Sequence, residues 1–463
     1  MKKLLVLLLA LVLLCSSLAA CAPAATPTQP STEATVPSTE ATQPSETTPE
    51  APAYTAELKD SSLLLDLPNY SYDLTEFNWA VYDMGDGAEL LAIKKVANGD
   101  GYAQYQEDLE DAGFTLYTEN EIGDNHYATW ITDEIYVTTM YTPGNQNVRI
   151  VAEPASIGLL PGLESDNVYT DAGVEPAVVM VGVDYDGATN NGMCYLYRLC
   201  DGSFIVVDGG FNEKACADAI YETMQALAPD PDNIVIAAWI FSHAHIDHTG
   251  GFYKFSATYA KKVTLESVIY NMPASYVFTK ADTSVGHLTN LPQHMAMYGD
   301  VDFYEAHPGQ VYYIRDAVIE MLYTWEQYPN SMKMLSYFND TSLVFSVDLG
   351  GEHIMQMGDC GPQASKVLEA IYTQDELRAD IMQTAHHGYT GASAKLNELI
   401  DAPVILWPTT DYKFPIFKAD DYNLPLYTRP YIYVADQRVT VVPLPFDADK
   451  VQTWVIEDYI PRK

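Results

Sequence analysis

Basic residues are scarce in this sequence: 24 lysines and arginines stand against 63 aspartates and glutamates in 463 residues, a formal net charge of −39. No basic patch stands out, and the acidic excess runs well past the amino-terminal segment. Gripping a nucleic-acid backbone requires clustered lysine and arginine to displace counterions, so the balance argues against nucleic acid as a partner. Cysteine is sparse too, six in all, with no zinc-ribbon spacing. Cys194 and Cys200 flank CYLYRLC, which reads as one strand; six steps of about 3.3 Å put them roughly 20 Å apart, too far for a mutual disulfide. Pairing among Cys194, Cys200, Cys216 and Cys360 stays open, with free buried thiols as the other reading. The apolar run near the start, LLVLLLALVLL, falls short of the about 20 residues that span a bilayer.

That run follows Lys2 and Lys3 and leads into small residues ending in Leu18-Ala19-Ala20-Cys21, the three regions of an export signal. The tetrapeptide resembles a bacterial lipobox. The resemblance implies a signal peptide over residues 1–20, cleavage before Cys21, a diacylglyceryl thioether on its sulfur, and a mature protein held by lipid at the outer face of the cell membrane. Residues 21–53 are almost entirely Pro, Thr, Ser, Glu, Gln and Ala, with PSTEAT at Pro30 and again at Pro37. Such a composition cannot bury a core. It reads as a disordered tether reaching up to roughly 100 Å at full extension.

Residues 54–154 contain the strand-like pieces NWAVYDM, HYATWI, EIYVTTMY and NVRIVA around one helical stretch, GYAQYQEDLEDAG, closed by Gly113. The pattern is that of a small α+β domain. It carries no catalytic constellation, and His126 alone reads as an ordinary surface or core histidine. From about Pro176 the texture changes. AVVMVGVDY, MCYLYRLC and SFIVVDGG read as strands, EKACADAIYETMQALA as a helix, and IVIAAWIF as a buried strand of α/β character.

Where that last strand ends stands FSHAHIDHTGG, three histidines and one aspartate within six residues. His243 and His245 are two apart, so in an extended segment both imidazoles point one way and can grip one cation; Asp247 and His248 follow on a tightening turn and can reach a second. Imidazole and carboxylate suit a borderline divalent ion, zinc first, with manganese or iron as alternatives. Two such cations about 3.5 to 4 Å apart can share one hydroxide and stabilise the oxyanion formed when it attacks.

HAHIDH resembles the HxHxDH signature of the metallo-β-lactamase superfamily, and the rest of the chain follows in that family's order. VVDGG carries Asp208, which the resemblance makes a turn residue standing behind the ligands. HIMQMGDCG places Asp359 after a strand, where the family bridges its two metals; a helix cap for QASKVLEAIY is the other reading. IMQTAHHGYTG supplies His386 as the last ligand, with His387 as runner-up because neighbouring side chains cannot both face one site in an extended strand. The implied fold is an α/β, four-layer αββα sandwich over residues 176–463. The implied metal ligands are His243, His245, Asp247, His248, Asp359 and His386, with Asp247 and Asp359 also catalytic. Cys360 reads as buried bulk.

One departure stands out: where many members of the family supply a third histidine to the first metal, this chain reads FNDTSLVFSV. The Asn-Asp-x-Ser, Gly-Asp and His-His-Gly series resembles the branch holding the extracellular hydrolase domain of competence DNA-uptake channels and the phosphorylcholine esterases. That branch is associated with phosphodiester cleavage. The first metal then needs a fourth ligand from water, Asn339, or one of His287, His294 and His307, with water favoured. Asn339 and Ser342 are candidate hydrogen-bond donors to substrate, a capping or turn role being equally open; His387 and Tyr389 are further candidates. No lysine or arginine near the motif clamps a phosphate. The expected protein is thus a lipid-anchored, two-metal hydrolase, a phosphodiesterase of cell-wall or extracellular polymers. A β-lactamase or lactonase relative and a noncatalytic binding lipoprotein are the competing readings.

Overall fold

The computed structural model of the chain describes residues 53–183, 192–273, 290–328 and 337–456. The export signal, Cys21, nearly all of the tether and His287 lie outside them. The described residues pack as one compact unit.

Three sheets organise the unit. Residues 79–154 form a six-stranded antiparallel sheet, crossed on one face by the helix Asp100–Asp111, which ends at Gly113 in the left-handed region (φ 93°). The other two sheets have nine and seven strands and pack face to face. Val207 and Ile240 of one meet Val347, Ile354 and Ile381 of the other in a fully buried core. The helices Lys214–Leu227 and Ile246–Tyr259 cover the outer face of the nine-stranded sheet through Ile220, Met224, Phe252 and Phe255. Pro362–Ile371 and Ala394–Ile400 cover the seven-stranded one through Leu368 and Leu396. The result is the mixed α/β, αββα sandwich expected from the sequence.

The amino-terminal sheet is not set apart by a solvated gap. Leu90, Tyr127, Met140 and Val151 share a core with Tyr323, Met355 and Leu368, and the Tyr127 and Tyr372 hydroxyls are 2.8 Å apart. Cys194, Cys200, Cys216 and Cys360 are buried thiols, none of them in a disulfide.

Parallel pairing places the chemistry. Phe204–Asp208 runs parallel to Ile234–Ile240, and in the facing sheet Glu352–Gln356 runs parallel to Ile381–Gln383. The loops that leave the carboxyl ends of these four strands carry Asp208, His243 to His248, Asp359, and His386 with His387. Such strand ends are where α/β sheets build sites.

Candidate metal centre

After the buried strand Ile234–Ile240 the backbone stays extended through His245 (φ −68°, ψ 148°), and the helix begins at Ile246. His243 and His245 therefore lie on one side, with His243 Nε2 and His245 Nδ1 2.9 Å apart. Asp247 and His248 occupy the first helical turn, facing the same cavity from its other side.

Asp208 anchors the loop. Its Oδ1 accepts the Ser242 N–H at 2.8 Å, and its Oδ2 accepts both the Ser242 hydroxyl and the His248 Nδ1–H at 2.7 Å. With Nδ1 committed to Asp208, Nε2 is the His248 atom aimed at Asp359, available to a cation once its proton leaves. Asp359 reaches its place through Gly358, at φ 50°, where a Cβ would crowd the Ser242 and Ser342 side chains at 2.8 and 3.0 Å. The Asp359 N–H donates to Ser342 Oγ (3.1 Å). Ser342, fully buried, thus stands behind Asp359 rather than on a substrate-facing surface. The helix Pro362–Ile371 is capped not by Asp359 but by Asp340, whose Oδ1 accepts the N–H groups of Gln363 and Ala364.

The two oxygens of Asp359 face different histidines. Oδ1 lies 3.2 Å from His248 Nε2 and 3.6 Å from His387 Nε2; Oδ2 lies 3.8 Å from His243 Nε2 and 3.8 Å from His386 Nε2. Both histidines of the pair turn inward because the segment is not extended: His386 and His387 are consecutively left-handed, at φ 49° and 55°. Two such non-glycine residues cost roughly 1–2 kcal/mol each, the kind of strain that collects at functional sites. Carbonyl oxygens fix both rings, His386 Nδ1–H donating to Thr390 at 2.9 Å and His387 Nδ1–H to Pro408 at 3.0 Å.

The side chains resolve into two groups whose ligating atoms lie within 4.8 Å of one another: His243, His245 and Asp359, and then Asp247, His248 and His387. It is His387, not His386, that completes the second group. His386 Nε2 instead takes a hydrogen bond from Asn339 Nδ2 at 2.9 Å, close to the Tyr337 hydroxyl. Of the distant histidines, His307 is buried between Glu326 and Glu153, and His294 packs on the Tyr253 ring. Neither joins the centre.

A divalent cation fits this donor set. His248 Nε2, His387 Nε2 and Asp359 Oδ1 are buried without a hydrogen-bond partner, and each such orphan costs roughly 1–3 kcal/mol unless something binds it. Electrostatics point the same way. Burial holds the His243 and His387 imidazoles below their usual range, in the neutral, ligating form. Burial pushes Asp359 up, but the surrounding histidines, His248 first, outweigh it and keep the carboxyl well below its ordinary value. His248 is drawn down by burial and up, more strongly, by Asp359 and Asp208. The proton these carboxylates hold on His248 is one a cation would displace.

One basic side chain packs behind Tyr389 from a segment without any motif. Lys413 Nζ donates to the Tyr389 hydroxyl at 3.0 Å and lies over the Tyr389 and Phe417 rings; the Tyr389 ring stands 5.5 Å from that of His386. Reading the sequence alone misses Lys413 because 24 residues separate it from Tyr389.

Residues 188–404 match the metallo-beta-lactamase superfamily, a span that holds every residue of both groups. The chain therefore carries a domain of that superfamily. Similar solved structures include the metallo-beta-lactamase fold protein YhfI from Bacillus subtilis, at 14% identity over 57% of this chain and 97% of that one, with a TM-score of 0.37. The short form of human tRNase Z is similar at 13% identity over 50% and 91%, TM-score 0.31. CmlA, a diiron beta-hydroxylase from Streptomyces venezuelae, is similar at 12% identity over 58% and 54%, TM-score 0.33. No curated protein matches the sequence.

Proposed function

We propose that this protein is a metal-dependent phosphodiesterase acting outside the cell on wall or extracellular polymers, anchored by lipid at Cys21. The carrying observation is that Asp359, a member of the first ligand group, turns its other oxygen to 3.2 Å from His248 Nε2 and 3.6 Å from His387 Nε2 of the second, all of them buried. His243, His245 and Asp359 would hold one ion; Asp247, His248, His387 and Asp359 would hold the other. Such a pair supplies Lewis acidity toward a phosphoester oxygen and a water acidified toward neutral pH.

The chain's own residues do the rest. Asp208 keeps His248 in its ligating tautomer, and the Thr390 and Pro408 carbonyls do the same for His386 and His387. The exposed Tyr337 offers a hydroxyl beside His386, held there by Asn339, whose amide hydrogens go to Tyr337 and His386. Lys413, bonded to Tyr389, adds one positive charge on the side of His386 in a protein of net charge −39.

The test is to purify the chain from Tyr54 onward, count bound metal, and assay a phosphodiester, a carboxylic ester and a β-lactam with and without chelator. Chelator-sensitive turnover of the phosphodiester supports the reading. Turnover of the β-lactam alone replaces it with a lactamase, and bound metal without turnover of any of the three leaves a binding lipoprotein. Release of the full-length protein from membranes without detergent, with a free thiol at Cys21, would overturn the anchor.

A further inference from the structure

A cavity of about 310 Å³ lies in the amino-terminal sheet, lined by no residue of the metal centre. Its origin is geometric. Six strands about 4.8 Å apart are roughly twice as wide as a helix of about 10–12 Å, so the helix Asp100–Asp111 cannot cover them all. It leaves open a strip over the last two strands, Asn125–Ile131 and the edge strand Thr115–Ile122.

The walls of this strip are aromatic and held in place from behind. Trp130 Nε1–H donates to Gln106 Oε1 at 2.7 Å, and the Tyr102 hydroxyl lies 3.2 Å from Thr139 Oγ1. With their polar tips engaged elsewhere, these rings offer the cavity carbon and π surface. Tyr141 completes the wall, its ring 5.7 Å from Tyr102 and 6.1 Å from His126. Gly99 allows the helix to start this close, because a Cβ there would lie 2.9 Å from the Tyr141 ring.

Carboxylates predominate among the charged groups around the cavity. Glu119 and Glu121 rise from the edge strand opposite Ala128 and His126, and Asp100 opens the helix beside Gly99. No lysine or arginine lines the cavity. His126 lies 3.1 Å from the exposed Glu121 and offsets that carboxylate when protonated.

Ring quadrupoles and carboxylates both create negative potential, and a neutral ligand would draw on neither. We propose that this cleft binds a small organic cation, a substituted ammonium carried on an apolar or sugar body. The assignment is independent of the hydrolytic reading, since the cleft uses no residue of the metal centre.

The experiment titrates the full chain, in detergent at pH 8, with benzyltrimethylammonium and with the uncharged benzyl alcohol, followed by saturation-transfer NMR on each ligand. The ammonium should bind at least about tenfold more tightly than the alcohol, the scale set by one favourable cation–π contact. The exposed double variant Glu119→Gln, Glu121→Gln and the variant Trp130→Phe should each weaken it about fivefold or more, while the circular dichroism spectrum and bound metal stay unchanged. Equal binding of ammonium and alcohol, ammonium binding untouched by both variants, or no binding up to about 50 mM would overturn the proposal.

Discussion

Asp208→Asn tests the logic of the centre most sharply, because it is nearly isosteric and changes one atom's role. Asn also tolerates the left-handed backbone that Asp208 adopts at φ 58°. In the native protein Oδ2 accepts two donors, Ser242 Oγ–H and His248 Nδ1–H, while Oδ1 accepts the Ser242 backbone N–H. An amide has one oxygen. If it takes the Oδ1 place, an NH₂ faces His248 Nδ1, and the ring must move its proton to Nε2, the atom 3.2 Å from Asp359 Oδ1. If it takes the Oδ2 place, the NH₂ faces the Ser242 N–H, which cannot turn away. Either arrangement takes from His248 part of what makes it a ligand. Loss of such supporting contacts lowers metal affinity about 10- to 100-fold, or about 1.4 to 2.7 kcal/mol. The assay is competition for zinc against a chromophoric chelator, with a thermal melt to verify folding. A folded Asp208→Asn protein binding both equivalents as tightly as wild type would refute the reasoning.

Three further outcomes are expected. His387→Ala should lose one equivalent of metal with at least about a 100-fold drop in turnover, whereas His386→Ala, whose Nε2 already partners Asn339, should keep two; metal analysis of both variants distinguishes them. Metal affinity should rise with pH, since a cation must displace the proton that Asp359 and Asp208 hold on His248; calorimetry in buffers of different ionisation enthalpy should show proton release on binding. His307→Ala should destabilise the fold by about 3–5 kcal/mol in urea titrations, because it strands the buried carboxylates of Glu153 and Glu326. Burial lowers the His307 pKa but Glu326 and Glu153 raise it further, so its stabilisation is whole below the free histidine value of about 6.5 and fades as pH climbs through the raised folded value.

Local pattern determined a good deal of this protein. The alternation in HAHIDH, the uniformly apolar strand before it and the Gly-Asp after another strand are short-range signals, each set by side-chain direction along one segment. They drew the eye to His243, His245, Asp247 and His248, while the αββα sandwich and the place of Asp359 were what the resemblance to the metallo-β-lactamase superfamily implied. Tertiary structure decided the rest. That His387 turns into the second group follows from two successive left-handed residues, which the Pro408 carbonyl and the Trp407 indole bonded to the His387 carbonyl hold in place from a neighbouring strand. That Asp340 caps the helix and frees Asp359, and that Lys413 lies over Tyr389, depend on partners more than twenty residues apart. Periodicity along a chain reports which way a residue points, while the choice between neighbouring histidines depends on what lies opposite, and only packing brings that into place.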